Sequence, residues 1–184
     1  MSTRTICCKM LTTPVISEAL DQTSKKFSDS CNFVLSIAAE KKTHNAIELH
    51  KLCYRKCREQ FGLSANLAVR SIRRVLTCMT HLKGKRKQPK KFFPKSIDYD
   101  ARIFAYREEE ESVSLTTVKG RIVIPLILGD FQRKQLAGKF PSSATVMKKG
   151  SSWYVHISVQ IENSTPSGKG VLGIDCGIGK LPYG

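Results

Sequence analysis

The hydrophobic positions of this chain follow a helical period in its first half and a period of two in its second. From residue 17 onward, Leu20, Phe27, Cys31, Val34, Leu35 and Ala38 recur at spacings that fit one helical face, with Ser17 as the N-cap. A second helical segment runs over 45–61 and meets Gly62, a residue suited to a helix C-terminus. A third begins near Ser64 and turns Leu67, Ala68, Ile72, Val75, Leu76 and Met79 inward. After Ser96 the pattern becomes strand-like, with one strand over 97–106 and a hairpin of 113–117 and 122–128 about a Lys119-Gly120 turn. Trp153, Val155, Ile157, Val159 and Ile161 then alternate with Tyr154, His156, Ser158 and Gln160, the pattern of a strand with one buried face. Lys149-Gly150-Ser151 turns the chain into that strand from 144–148. Residues 5–11 also read as a short strand, and its partners must lie beyond the helices that follow it.

This order predicts an α+β fold in which a small strand-rich body, built from 1–13 and 96–163, is interrupted by helices over 17–82. A small barrel is the better expectation than an open sheet, because closure satisfies strand edges. The Ser, Thr, Pro and Gly content of 164–170 reads as a linker, and 171–178, VLGIDCGI, as one more apolar strand.

Composition narrows the partner. Across 184 residues, 31 Lys and Arg face 15 Asp and Glu, for a net charge of +16, which points to nucleic acid or an anionic membrane surface. Residues 1–100 hold 20 of those cations and 8 of the acids, so the excess belongs mainly to the helical half. No apolar run is long enough to span a bilayer, and residues 1–20 lack the layout of a secretion signal, so a cytoplasmic protein without a membrane partner is expected. Seven irregularly spaced cysteines do not suggest a disulfide scaffold.

Candidate chemistry falls in three places. Arg70, Arg73 and Arg74 lie three and four residues apart, so they can emerge together beside the buried stripe of the third helix and meet phosphates, or form an ordinary solvated face. The segment 83–95, KGKRKQPKKFFPK, carries Lys83, Lys85, Arg86, Lys87, Lys90, Lys91 and Lys95 with no acid, and Phe92 and Phe93 can either stack on bases or anchor in the core. Asp175 is a lone carboxylate in an apolar strand, which invites a hard-cation reading. Elsewhere, His44, His50, Cys53 and Cys57 lie close in sequence but lack the paired spacing of a zinc hairpin. Residues 108–111 form an acidic run that reads as a solvated loop, and Tyr99 and Tyr106 can stack on bases or pack inside. His156 faces solvent or a bound RNA, and as a base it has no evident nucleophile.

Several ordered features together carry a resemblance. They are the early strand, Tyr54 with FGLSAN at 61–66, the arginine-bearing helix, FFPKSIDYD at 92–100, VSLTTVKGRIVIPL at 113–126, SSWYVHISVQI at 151–161 and VLGIDCGI at 171–178. In this order the chain resembles the N-terminal part of TnpB-type nucleases, transposon-encoded, RNA-guided relatives of the type V CRISPR effectors. The resemblance implies a wedge barrel from 1–13 and 96–163, a helical recognition lobe with its basic linker over 14–95, and the start of a RuvC-like, RNase-H-fold domain at 171–184. Guide RNA and target DNA are the implied ligands, with nucleoid association when DNA is bound. Asp175 matches the family's first catalytic aspartate, which helps hold magnesium together with a later Glu and a later Asp. Neither later segment is in this sequence, nor is the family's paired-cysteine zinc module, and GKLPYG at 179–184 departs from the usual continuation. A single carboxylate does not build a two-metal site, so the chain is expected to bind nucleic acid and, without a missing C-terminal nuclease portion, not to cut. Magnesium is thus expected for the intact family nuclease and not for this fragment. An autonomous small RNA- or DNA-binding regulator, and a magnesium-dependent nuclease completed by another chain, are the competing expectations.

Overall fold

A computed structural model describes residues 2–83 and 91–161. Its elements, in chain order, are β1 (Ser2–Met10), α1 (Pro14–Glu40), α2 (Ala46–Glu59), α3 (Ala65–Lys83), β2 (Ser96–Asp100), β3 (Phe104–Arg107), β4 (Ser112–Thr117), β5 (Gly120–Ile127), α4 (Asp130–Leu136), β6 (Ser143–Lys149) and β7 (Ser152–Ile161). The fold is α+β, and three helices do fall between the first strand and the rest. No described helix is long and apolar enough to cross a membrane.

The helices begin and end for local reasons. Thr13, not Ser17, caps α1: its hydroxyl accepts from the Ile16 N–H at 3.3 Å, and Pro14 at the first helical position has no N–H to leave unpaired. Ser17 instead lies inside the helix and accepts from the Trp153 indole N–H at 3.2 Å. Asn45 caps α2 through the Ile47 and Glu48 N–H groups, and Gly62, at φ +63°, lies in the left-handed region just past its end.

The seven strands form one antiparallel sheet in the order β2-β6-β7-β1-β5-β4-β3. Geometry requires it to roll up. Laid flat, edge strands of a seven-stranded sheet would stand about 29 Å apart at about 4.8 Å per neighbour. Yet β2 and β3 are those edges, and the chain between Asp100 and Phe104 can reach only about 14 Å. The result is a nearly closed barrel. The Thr116 N–H extends the β3–β4 ladder to the Ile103 carbonyl at 3.0 Å, and the buried Tyr99 hydroxyl of β2 donates to the Thr116 carbonyl of β4 at 3.2 Å, across the seam. Residues 97–106 are therefore not the single strand their pattern predicts. Asp100 turns the chain, its carboxylate accepting from the Arg102 N–H at 3.1 Å and its carbonyl from the Ile103 N–H at 3.0 Å.

β1 finds its distant partners at the centre of the sheet, running from Ser2↔Ile161 to Lys9↔Tyr154 against β7 and pairing Lys9 and Met10 with β5. The inward residues Ile6, Cys8, Val146, Trp153, Val155 and Ile157 join Leu20, Phe27, Leu67 and Val75 of the helices in one continuous buried cluster. Helices and barrel share that core. The short α4 has no sequence signal strong enough to predict it. Its first turn is held by Gln132, whose side-chain oxygen accepts from the Gly129 N–H at 3.1 Å.

Candidate nucleic-acid interface

The three arginines of α3 do not emerge together. At about 100° per residue they fan around the helix, with Arg73 farthest from Arg74 and Arg70 between them. Arg74 turns toward the barrel. Its Nε donates to Asp98 at 2.7 Å, its Nη2 to the other carboxylate oxygen at 2.5 Å, and its Nη1 to the Ser96 carbonyl at 2.8 Å. The guanidinium also lies over the Phe27 ring, 5.1 Å from its centroid. With side-chain exposures of 18% and 20%, Arg74 and Asp98 form a lock between α3 and β2, a structural role for the arginine that the sequence offers to phosphates. The sequence spacing could not show this, because Asp98 lies 24 residues away on a strand.

Arg73 is exposed on the other side and borders a groove of about 420 Å³ between α2 and α3, together with Lys51, His50, Ile47 and Leu76. No acidic residue lines this groove. Arg70 is half-buried, and its Nε is out of solvent without a hydrogen-bond partner.

The basic segment re-enters at a fixed point. Asn32 of α1 clamps the Phe92 backbone, accepting from its N–H at 2.7 Å and donating to its carbonyl at 2.9 Å. Phe92 packs against the core, while Phe93 stays 61% exposed with Lys91 Nζ 5.9 Å from its ring centroid. The two phenylalanines thus divide the roles of anchor and surface ring. Lys91 and Lys95 are exposed. The Lys83 side chain, Lys85, Arg86, Lys87 and Lys90 lie outside the described residues, as do Asp175 and the whole of 164–184.

The remaining candidates resolve individually. Cys53 and Cys57 are buried, and burial pushes the Cys53 thiol up to about 11 and Cys31 up to about 12, which keeps them protonated. His50 stacks on Tyr54 with centroids 4.8 Å apart. Among the described residues no three or more His, Cys, Asp or Glu side chains are grouped to hold a metal ion. Residues 108–111 are less free than an acidic loop: Glu111 binds Arg133, Glu110 binds Arg107, and Glu108 accepts from the Gly138 N–H.

The outer face of the sheet carries His156, which strand alternation turns toward solvent or a bound RNA. Tyr154, His156 and Ser158 of β7 are partly exposed there, and Phe140, in the segment leading into β6, is 97% exposed. Strand alternation reveals the outward set of β7, but not what stands beside it.

No protein-family model matches the chain, and no curated protein matches its sequence.

Proposed function

We propose that the chain is the nucleic-acid-binding portion of a TnpB-like, transposon-associated, RNA-guided DNA endonuclease, with guide RNA and target DNA as its ligands. The observation that carries this reading is the order of the architecture, a three-helix unit inserted after the first strand of a barrel whose other strands all follow. That is also the order in which the resembling motifs run. In this reading the barrel is the wedge, α1–α3 are the recognition lobe, and residues 171–178 begin a RuvC-like domain. Arg73, Lys91 and Lys95 are exposed cations available to phosphates. Asp175 alone supplies too few ligands for two-metal hydrolysis, so the 184-residue chain binds without cutting.

The test is fluorescence anisotropy of the purified chain with a structured RNA transcribed from its own locus and with an unrelated hairpin of equal length, across a salt series. Tighter binding to the locus RNA, weakening steeply with salt, supports the reading. Equal affinity for both RNAs counts against it and favours a general nucleic-acid binder. Magnesium-dependent DNA cleavage by this chain, lost in Asp175→Ala, overturns the non-cutting assignment.

A further inference from the structure

The strand register defines an outer face of the sheet that meets the arginine-bearing helix at Asp98, where Arg74 binds. Ile6, Cys8 and Met10 of β1, Ala144 and Val146 of β6, and Trp153 to Val159 at alternate positions of β7 point inward. The intervening residues therefore share the outer face. Across it, Met147, Tyr154 and Lys9 form one row, Thr145, His156 and Cys7 the next, and Ser143, Ser158 and Thr5 a third. None of the outward positions on these three strands is acidic, and Lys9 and Lys149 stand at the Tyr154 end. Two carboxylates of the neighbouring β2 extend these rows: Asp98, opposite Thr145, is bound by Arg74 and the Thr145 hydroxyl, and Asp100, opposite Ser143, accepts from the Arg102 N–H. At the other end Phe140 adjoins a cleft of about 230 Å³ lined by Thr3, Ser158, Gln160 and Lys139. The face thus carries Tyr154 and His156 about 7 Å apart along the strand, and Phe140 beside the next outward position.

We propose that this face is a base-stacking platform for single-stranded nucleic acid, with bases lying on Tyr154, His156 and Phe140. The inference rests on the nucleic-acid reading above and specifies strandedness, which that reading leaves open. An aromatic ring at 97% exposure contributes nothing to the core, whereas the outer face of the barrel with its spaced rings gives unpaired bases a surface to stack on. Surrounding hydroxyl and amide groups can both donate and accept, and so can meet sugar and base edges. Lys9, Lys149 and Lys139 flank the track and can neutralise phosphates. A duplex has its bases already stacked inside, so the rings offer it little.

The experiment compares the full chain with Phe140→Ala, Phe140→Trp and Tyr154→Phe on a labelled single-stranded 12-mer and on a blunt duplex of the same sequence. Phe140 packs against almost nothing, so its variants keep the fold, and Tyr154→Phe keeps the ring. The platform predicts that Phe140→Ala weakens single-strand binding roughly 5-fold or more. Phe140→Trp and Tyr154→Phe stay near the parent, duplex affinity is unchanged, and the slope of log affinity against log salt is preserved, because no cation is removed. Unchanged single-strand affinity in Phe140→Ala, or an equal loss on the duplex, overturns the platform and leaves the wider reading intact. A parent chain that binds neither probe overturns both.

Discussion

The helical unit and the β6–β7 side of the barrel handle polar groups differently, although β4 also buries Ser112, Ser114 and Thr117, and their outer surfaces differ as a result. Inside the helices, small polar side chains are buried in pairs: Ser30 and Ser71 hydroxyls meet at 2.8 Å, Thr23 bonds the Ala19 carbonyl at 2.7 Å, and Cys31 reaches the Ser71 carbonyl. Such residues let α1 and α3 approach closely and leave the long cations outside. On β2, β6 and β7 the barrel fills its interior with Trp153, Tyr99, Ile97, Val155 and Ile157, and on β6 and β7 it turns Ser, Thr, Tyr and His outward on alternate positions. Hence the helical side presents point charges suited to phosphates, and the sheet side presents rings and hydroxyls suited to bases. The two are nevertheless one folding unit, because their buried side chains form one cluster.

Trp153→Ala is the severest way to break that unity. The side chain is fully buried and its N–H ties the barrel to Ser17 of α1, so the loss is expected to be about 3–5 kcal/mol. Urea unfolding followed by helical circular dichroism and by tyrosine fluorescence should shift together. Separate transitions would mean that helices and barrel fold independently despite the shared cluster.

Arg74 and Arg73 sharpen the contrast within one helix. Arg74→Ala leaves Asp98 half-buried without its main partner and is expected to cost about 2–3 kcal/mol. Arg73→Ala is expected to stay within about 0.5 kcal/mol of the parent in stability, and to reduce the magnitude of the RNA salt slope by about 1. Denaturation and anisotropy on both variants decide the matter: a destabilised Arg73 variant with an unchanged salt slope would remove Arg73 from the binding surface. A smaller effect, about 1 kcal/mol, is expected for Thr13→Ala, which loses the cap where β1 hands over to α1. Ser17→Ala should leave the helix start untouched and disturb only the Trp153 contact.

These pairs also show what the sequence could and could not reveal. The period of two over 153–161 was enough to read β7 and its buried face, because burial on one side imposes alternation whatever the neighbours are. The insertion of helices after β1 followed from the same reading. The break of 97–106 into two opposite edges was not legible, since Asp100 and Tyr99 look like alternating strand residues until the barrel closes around them. The structural partner of Arg74 was hidden for a related reason: spacing on a helix specifies which residues share a side, but only the packed sheet supplies Asp98. Phe140 was invisible because one aromatic in a polar turn has no period at all.

The weakest link in the comparison lies on the barrel alone. A hydrogen bond from Arg133 of α4 holds the Glu111 carboxyl below its ordinary value of 4.5, with the guanidinium charge adding to it. A carboxyl lowered in the folded state contributes stability that is complete above the unfolded value and is lost as pH falls through the folded one. The melting temperature should therefore decline below about pH 4.5 by a small amount attributable to this pair, and Glu111→Gln should flatten that part of the profile while matching the parent's slope at neutral pH. Arg133→Gln should produce the same flattening, since either partner's removal ends the linkage. If Glu111→Gln flattens the profile and Arg133→Gln does not, Glu111 is held by some other donor, and α4 is not fastened to the β3–β4 turn by this pair.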